Sequence, residues 1–291
     1  MWQSTLIVFK SRRFAIVRIR VLILRLFCAV LFLFNASCDN QFSAFADTTS
    51  NLSLFYEALE FIRDNNFDGA VAACEAMEED FLSGYDPTVV CASAFAGRCG
   101  FTVFDMASYI ENYGTAAPPE KIFEWFLAQF TASTTAQIDD CSTAESIIRN
   151  YGPADVRDED LNALMALINI HTIALIADET GDTDDDNSRD GGYDACATSA
   201  ALSAQLGSAI WEFDKALDAL SSNSFYSPLD AVMDFQCTAL NLISKDVCAA
   251  TDPESLSAAE TQGAQSFLKE GSLFGLDQCG GDATVAVCNC P

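Results

Sequence analysis

The sequence predicts an all-α protein. Antiparallel helical hairpins pack as a bundle or repeat array, tied by disulfides, with a short irregular cysteine-rich C-terminal tail. Three observations carry this expectation. After residue 50 apolar residues recur at helical spacing, and β-branched alternating runs are missing except for VAVCNC at the end. Helix starts and stops are marked along the whole chain. Ten cysteines follow the N-terminal region, an even number that suits a disulfide framework. Half of the 291 residues are hydrophobic, which supplies a core and excludes global disorder.

The first element reads as an export signal. Lys10, Arg12, Arg13, Arg18, Arg20 and Arg25 form a basic n-region, and LFCAVLFLF (26–34) is a nine-residue apolar core. A bilayer span needs about 20 apolar residues, and Arg25 separates this run from the VLIL before it. Two cleavage sites compete. NASC (35–38) resembles the lipobox of bacterial lipoproteins, with Asn35 where that family has Leu, and implies lipidation of Cys38. AFA followed by Asp47 fits the ordinary small-x-small rule but lies far from the apolar core. The reading favours Cys38 as a lipidated N-terminus, in a bacterial protein of the periplasm or cell surface.

Charge narrows the partners. All 42 acidic residues follow residue 38, while six of the 15 basic ones precede residue 26. The remainder carries 9 basic against 42 acidic residues, a net charge near −33. Such a surface repels nucleic acid and anionic membranes and suits cations, basic partners or a saline medium. Membrane contact is therefore expected through the lipid anchor alone.

The organisation expected is a signal peptide at 1–38, a linker at 39–50, one helical half at 51–177, an acidic loop at 178–193, a second helical half at 194–272, and a cysteine-rich tail at 273–291. Helices are expected near 51–64, 67–83, 87–97, 101–112, 119–132, 142–150, 157–177, 194–221, 228–246 and 253–270. Asp86-Pro87, Ser227-Pro228 and Asp252-Pro253 each place a capping residue before proline. Ser142 and Glu145 have capping-box spacing. Pro118-Pro119-Glu120 opens the aromatic KIFEWFLAQF. LNALMALINIHTIALIA (161–177) is apolar nearly all round, so it belongs at the centre.

In LFYEALEFIRDNNFDGAVAACEAM, Ala58 and Phe61 share a face, Asn65-Asn66 turns the chain, and Phe67, Ala70, Cys74 and Met77 follow at helical spacing. Over 51–84 this resembles a tetratricopeptide (TPR) repeat, in its small, aromatic, aromatic, Ala, aromatic and Ala positions; Leu82 stands where the family closes with Pro. The chain is loosely similar to TPR-like bacterial lipoproteins, including the T component of TRAP transporters. That resemblance implies a lipid-anchored periplasmic helical protein that binds a protein partner or small ligand, and it carries over no functional residues.

The disulfide candidates are Cys74, Cys91, Cys99, Cys141, Cys196, Cys237, Cys248, Cys279, Cys288 and Cys290, with pairing left open. Cys91 with Cys99, and Cys237 with Cys248, are too far apart to bond if each pair lies on one helix. The tail is expected to be stapled to the helical body. No CxxC pair supports zinc.

Catalytic motifs are missing: there is no HExxH, P-loop, G-x-S-x-G or G-x-G-x-x-G. The single histidine, His171, sits among Ile and Leu and reads as a core residue. A non-enzymatic protein without a cofactor is expected, calcium being the one candidate. In GDTDDDNSRDGGYD (181–194), Asp182, Asp184, Asp186 and Asp190 fall at positions 1, 3, 5 and 9 of a calcium loop, with the Ser188 carbonyl at 7. Position 6 is Asn187 rather than Gly, and position 12 is Tyr193 rather than Glu. A polar connector between helices explains the same residues. Two functions compete: a partner- or ligand-binding helical protein, and a calcium-stabilised structural or surface protein.

Overall fold

A helix begins with four backbone N–H groups that have no partner inside it, and here short polar side chains meet them. The computed structural model describes residues 49–101, 133–183, 189–223, 227–269, 279 and 287–291. Its first helices are α1 (Asn51–Arg63), α2 (Phe67–Glu75), α3 (Glu79–Leu82) and α4 (Tyr85–Arg98). Then follow α5 (Thr135–Tyr151), α6 (Glu159–Gly181), a 3-10 turn at Ala195–Ala197, α7 (Ala200–Leu220), α8 (Ser227–Leu242) and α9 (Ala258–Lys269). Ser50, Asn66, Thr134, Asp158 and Ser199 accept from a backbone N–H in the first turn of α1, α2, α5, α6 and α7. Ser257 and Glu260 form a reciprocal capping box at α9, with Ser257 N donating to Glu260 and Glu260 N to the Ser257 hydroxyl. No strand occurs among the described residues.

Several boundaries differ from the sequence reading, each for a local reason. The helix expected at 67–83 breaks into α2 and α3 around Met77. The one expected at 142–150 starts at Thr135, because Thr134 caps it; Ser142 and Glu145 are then one mid-helix turn, not a capping box. The span 194–221 divides because Asp194 caps the 3-10 turn and Ser199 starts α7 afresh. Asp252-Pro253 opens a turn rather than a helix, and α9 waits for Ser257. The helices expected at 101–112 and 119–132 lie outside the described residues. So do the export signal, Cys38 and the linker to residue 48.

The antiparallel pair α6–α7 forms the centre. α5 packs on α6, α4 on α5, the α1–α2 hairpin on α4, and α9 with the 3-10 turn on α7. Leu161, Met165, Ile168 and Leu175 of α6 meet Phe213 of α7 and Ile138 and Ile148 of α5 in the core, all fully or almost fully buried. α6 is long and apolar enough to cross a membrane, but 78% of its apolar window is buried inside the protein. Its all-round apolarity matches the burial of every residue from Ile168 to Asp178. Thr49–Pro291 forms one compact unit.

Small residues set the approach of the first helices. Ala58 and Ala70 are fully buried between α1 and α2. A Cβ on Gly97 of α4 would lie 2.1 Å from the Phe67 ring, so that ring lies flat against bare backbone. The hairpin expected at 51–84 is present.

Five disulfides tie the unit: Cys74–Cys91, Cys99–Cys141, Cys196–Cys290, Cys237–Cys248 and Cys279–Cys288. Cys91 and Cys99 each bond elsewhere, as helix geometry requires. The exclusion of Cys237–Cys248 is corrected. α8 ends at Leu242, Ser244 takes φ 59°, and the chain reverses to bring the two Cα atoms to 5.8 Å. Cys290 staples the tail to the 3-10 turn. Lys245 Nζ donates to the Cys290 carbonyl, and Cys290 N donates to Ser266 Oγ at 2.9 Å.

Candidate functional site

Antiparallel packing of α6 and α7 leaves a cleft at each end of the pair, and a buried ion cluster lies between α5, α6 and α7. The larger cleft, about 650 Å³, sits where the acidic connector leaves α6 and the 3-10 turn leads into α7. Thr180, Thr183, Tyr193, Thr198 and Ser199 line it with hydroxyls; Asp190 and Asp194 add carboxylates. Gly191 and Gly192 open it further, because a Cβ at either would meet nothing within 4 Å. The volume suits a small ligand.

The connector is pinched at its base. Asp190 N donates to the Gly181 carbonyl at 2.7 Å. Thr183 N donates to Asp190 Oδ2 at 3.1 Å, and the Thr183 hydroxyl bonds the same oxygen. Asp182 caps the C-terminus of α6 and is buried. The structure thus brings Asp182 and Asp190 to the two ends of one short loop. Asp184, Asp186 and Ser188 lie outside the described residues. Tyr193, at the twelfth loop position, turns inward to Thr180, 3.4 Å from its hydroxyl, and burial raises its phenol pKa.

The ion cluster was not legible as a site. Arg149 of α5 donates through Nε to Glu212 at 2.9 Å, through Nη1 to Glu254 at 2.6 Å, and through Nη2 to Glu145. Arg157 donates through Nη2 to the second oxygen of Glu212 at 2.9 Å and through Nε to the Gly152 carbonyl at 2.7 Å. Ser208 donates to Glu145 at 2.6 Å. Three carboxylates thus share two guanidiniums. Glu212 takes both, Glu254 is paired at an exposed position, and the buried Glu145 carries the surplus charge. Burial is the main cause that pushes the Glu145 carboxyl up from 4.5 to about 7, against the pull of Arg149 and Ser208.

Other titratable groups are perturbed by burial. His171 packs edge-on against Phe101 and hydrogen-bonds the Cys99 main chain; burial lowers it from 6.5 to about 4. It lies near the sulfurs of Cys99 and Cys141, but these are joined in a disulfide and offer no thiolate. Asp214, Asp218 and Asp234 come together near α8. There the Lys215 ammonium already serves Asp214 at 2.7 Å, and burial raises Asp214 from 3.8 to about 6.

These shifts set a pH profile. From about pH 4.5 to 7 the folded chain keeps a proton on Glu145 that the unfolded chain has released, so stability falls as pH rises. His171 acts oppositely: from about pH 6.5 down to 4 the unfolded imidazole takes a proton the folded one refuses. Glu145→Gln keeps the acceptor for Arg149 and Ser208 without the ionisable proton. From pH 5 to pH 8 this variant is expected to gain about 2–3 kcal/mol on wild type. Denaturant unfolding at the two pH values checks this; a constant difference would exclude Glu145 as the titrating group.

Comparison with family models, curated proteins and solved structures finds no match for the chain.

Proposed function

We propose that the chain is an exported, non-enzymatic helical binding protein, anchored through a lipid on Cys38, that holds a small polar ligand in the cleft beside the acidic connector. The cleft carries this reading: it has ligand size, a hydroxyl lining, flanking carboxylates and two glycines that leave room at its wall. The TPR-like resemblance of 51–84 and the motif-poor sequence agree with binding rather than catalysis. Five disulfides suit an oxidising compartment.

Mass spectrometry of the mature N-terminus tests the anchor. A diacylated Cys38 is expected, and an unmodified start at Asp47 refutes it. The cleft is tested by thermal melting with a panel of neutral polyols and sugars. At least one is expected to raise the melting temperature of wild type but not of Gly192→Trp, which fills the open wall. A panel without effect removes the small-ligand reading. A protein partner then becomes the better one, supported by the exposed stripe Leu52, Tyr56 and Leu59 along α1.

The pinched base of the connector favours calcium as a second reading, because it holds Asp182 and Asp190 close, as a cation loop requires. Millimolar calcium is then expected to raise the melting temperature and EDTA to lower it. Asp182/Asp184/Asp186→Asn abolishes both effects. Identical melting in calcium and EDTA ends this reading.

A further inference from the structure

The first helix carries more apolar surface than the fold covers. Of the 13 residues of α1 only Ala58 is buried. Leu54, Phe55, Phe61 and Ile62 are half-buried against the core. Leu52, Tyr56 and Leu59 stand on one outward face, at 57%, 61% and 39% exposure. They fall at i, i+4 and i+7, the spacing that stacks side chains on one side of a helix. Single exposed apolar residues are ordinary, but three on successive turns form a contiguous stripe.

Acidic residues flank this stripe on both sides. One side is α1 itself, which presents the exposed Glu57, Glu60 and Asp64. The other side is the corner into α3. There Asn51 donates through Nδ2 to Glu78 and accepts from Glu78 N, both at 2.9 Å, and Phe55 meets the Phe81 ring edge-on. Glu78, Glu79 and Asp80 are exposed at that corner. Residues 51–84 hold eight acidic residues against Arg63 alone, and Arg63 is already paired with Glu60 and Asp64.

Charge selects what covers the stripe. A second copy of the chain would set acid against acid. Residues 102–132 hold Asp105, Glu111, Glu120 and Glu124 against Lys121 alone, so they offer the rims no counter-charge. The basic residues before position 26 leave with the signal on the export reading. Anionic lipid is repelled by the same rims. Apolar anchors at i, i+4 and i+7 between two acidic borders fit a helix with one apolar face and basic flanks. We propose that the outer face of α1 docks a basic amphipathic helix of a partner protein, its apolar side chains on Leu52, Tyr56 and Leu59 and its Lys and Arg on the two rims. This surface is separate from the cleft beside the acidic connector.

Fluorescence anisotropy of a labelled model peptide tests this on the oxidised mature chain at about 0.15 M salt, where loose surface attraction is screened. The probe is a helix of about five turns, with Leu on one face and Lys on the other. A scrambled peptide of the same composition keeps the charge without the apolar face. A Leu/Glu counterpart keeps the face without the charge. The Leu/Lys helix is expected to bind, and both controls to bind on the order of tenfold more weakly or worse. Leu52→Ser/Tyr56→Ser/Leu59→Ser weakens binding by about tenfold or more, while circular dichroism and melting stay near wild type because all three positions are exposed. Glu57→Lys/Glu79→Lys leaves the stripe intact and weakens binding by roughly fivefold. Phe235→Ser/Leu242→Ser, which removes exposed apolar residues of α8, and Gly192→Trp both leave binding unchanged. The proposal is overturned if the scrambled peptide binds as well, or if the triple serine variant binds like wild type. It also falls if sedimentation shows a wild-type dimer that this variant dissolves, since a second copy then covers the face. A large drop in the variant's melting temperature overturns it too, because the chain's own residues then cover the stripe.

Discussion

Glu212→Gln is expected to destabilise the protein by about 3–5 kcal/mol, the cost of breaking a buried ion pair from one side. Glu212 is fully buried and is the carboxylate on which both guanidiniums converge. Its loss strands Arg157, whose side chain is 1% exposed and has no other carboxylate partner among the described residues. Arg149 fares better, because Glu145 and Glu254 stay within reach. The variant also changes which charge is surplus. With Glu212 neutral, an ionised Glu145 becomes the needed counterion of Arg149, so its pKa falls back toward the ordinary range. The destabilisation is therefore larger at pH 5 than at pH 8. Denaturant unfolding at both values reads the two effects together. A loss below about 1 kcal/mol, within the range of exposed pairs, would show that the cluster is hydrated in solution.

Removing the tail staple has an effect of similar size. Cys196–Cys290 closes a 94-residue separation, and for a loop of that length the chain-entropy estimate is about 4–5 kcal/mol. Cys196→Ser/Cys290→Ser is expected to lose much of this, lowering the melting temperature by roughly 10 °C for a unit of this size. Hydrogen bonds from Lys245 and to Ser266 still hold the last residues. The double variant thus folds with a looser C-terminus. Calorimetry gives the loss, and amide exchange near Cys290 locates it. An unchanged melting temperature would show that the unfolded chain gains no freedom when the staple is cut.

The helices were largely legible because their signals act within one turn. Apolar spacing identified α1 and α6 to within about four residues at each end and placed the start of α7 six residues early, while the caps Ser50, Asp158 and Ser199, each bonding a backbone N–H three positions ahead, were not among the residues read as caps. Misreadings arose where one local signal had two meanings. Ser142 and Glu145 have capping-box spacing, but three residues are also nearly one helical turn. Glu145 is in fact turned into the core. Cys237 and Cys248 looked too far apart because no glycine or proline marks the break after Leu242. Ser244 supplies the left-handed residue instead.

Of the candidate sites, the acidic connector was legible as a loop by its composition, though not that Asp190 would tie back to Gly181 and Thr183. The ion cluster left two faint marks: Glu212 lies inside the apolar run AIWEF, and Arg149 and Arg157 are two of only nine basic residues after the signal. A charge kept within an apolar stripe, where cations are scarce, is what a buried pair requires. Sequence alone could not choose the partners.

By itself, then, the sequence determined an all-helical chain, its central apolar helix and an even set of cysteines. Only the tertiary structure decided which cysteines bond, which carboxylate is left surplus, and that both ends of the α6–α7 pair open into clefts. Helical periodicity and capping are properties of neighbours three or four residues apart. Cys99–Cys141 at 42 residues and Arg149–Glu254 at 105 depend on how whole helices stack, which no local pattern specifies.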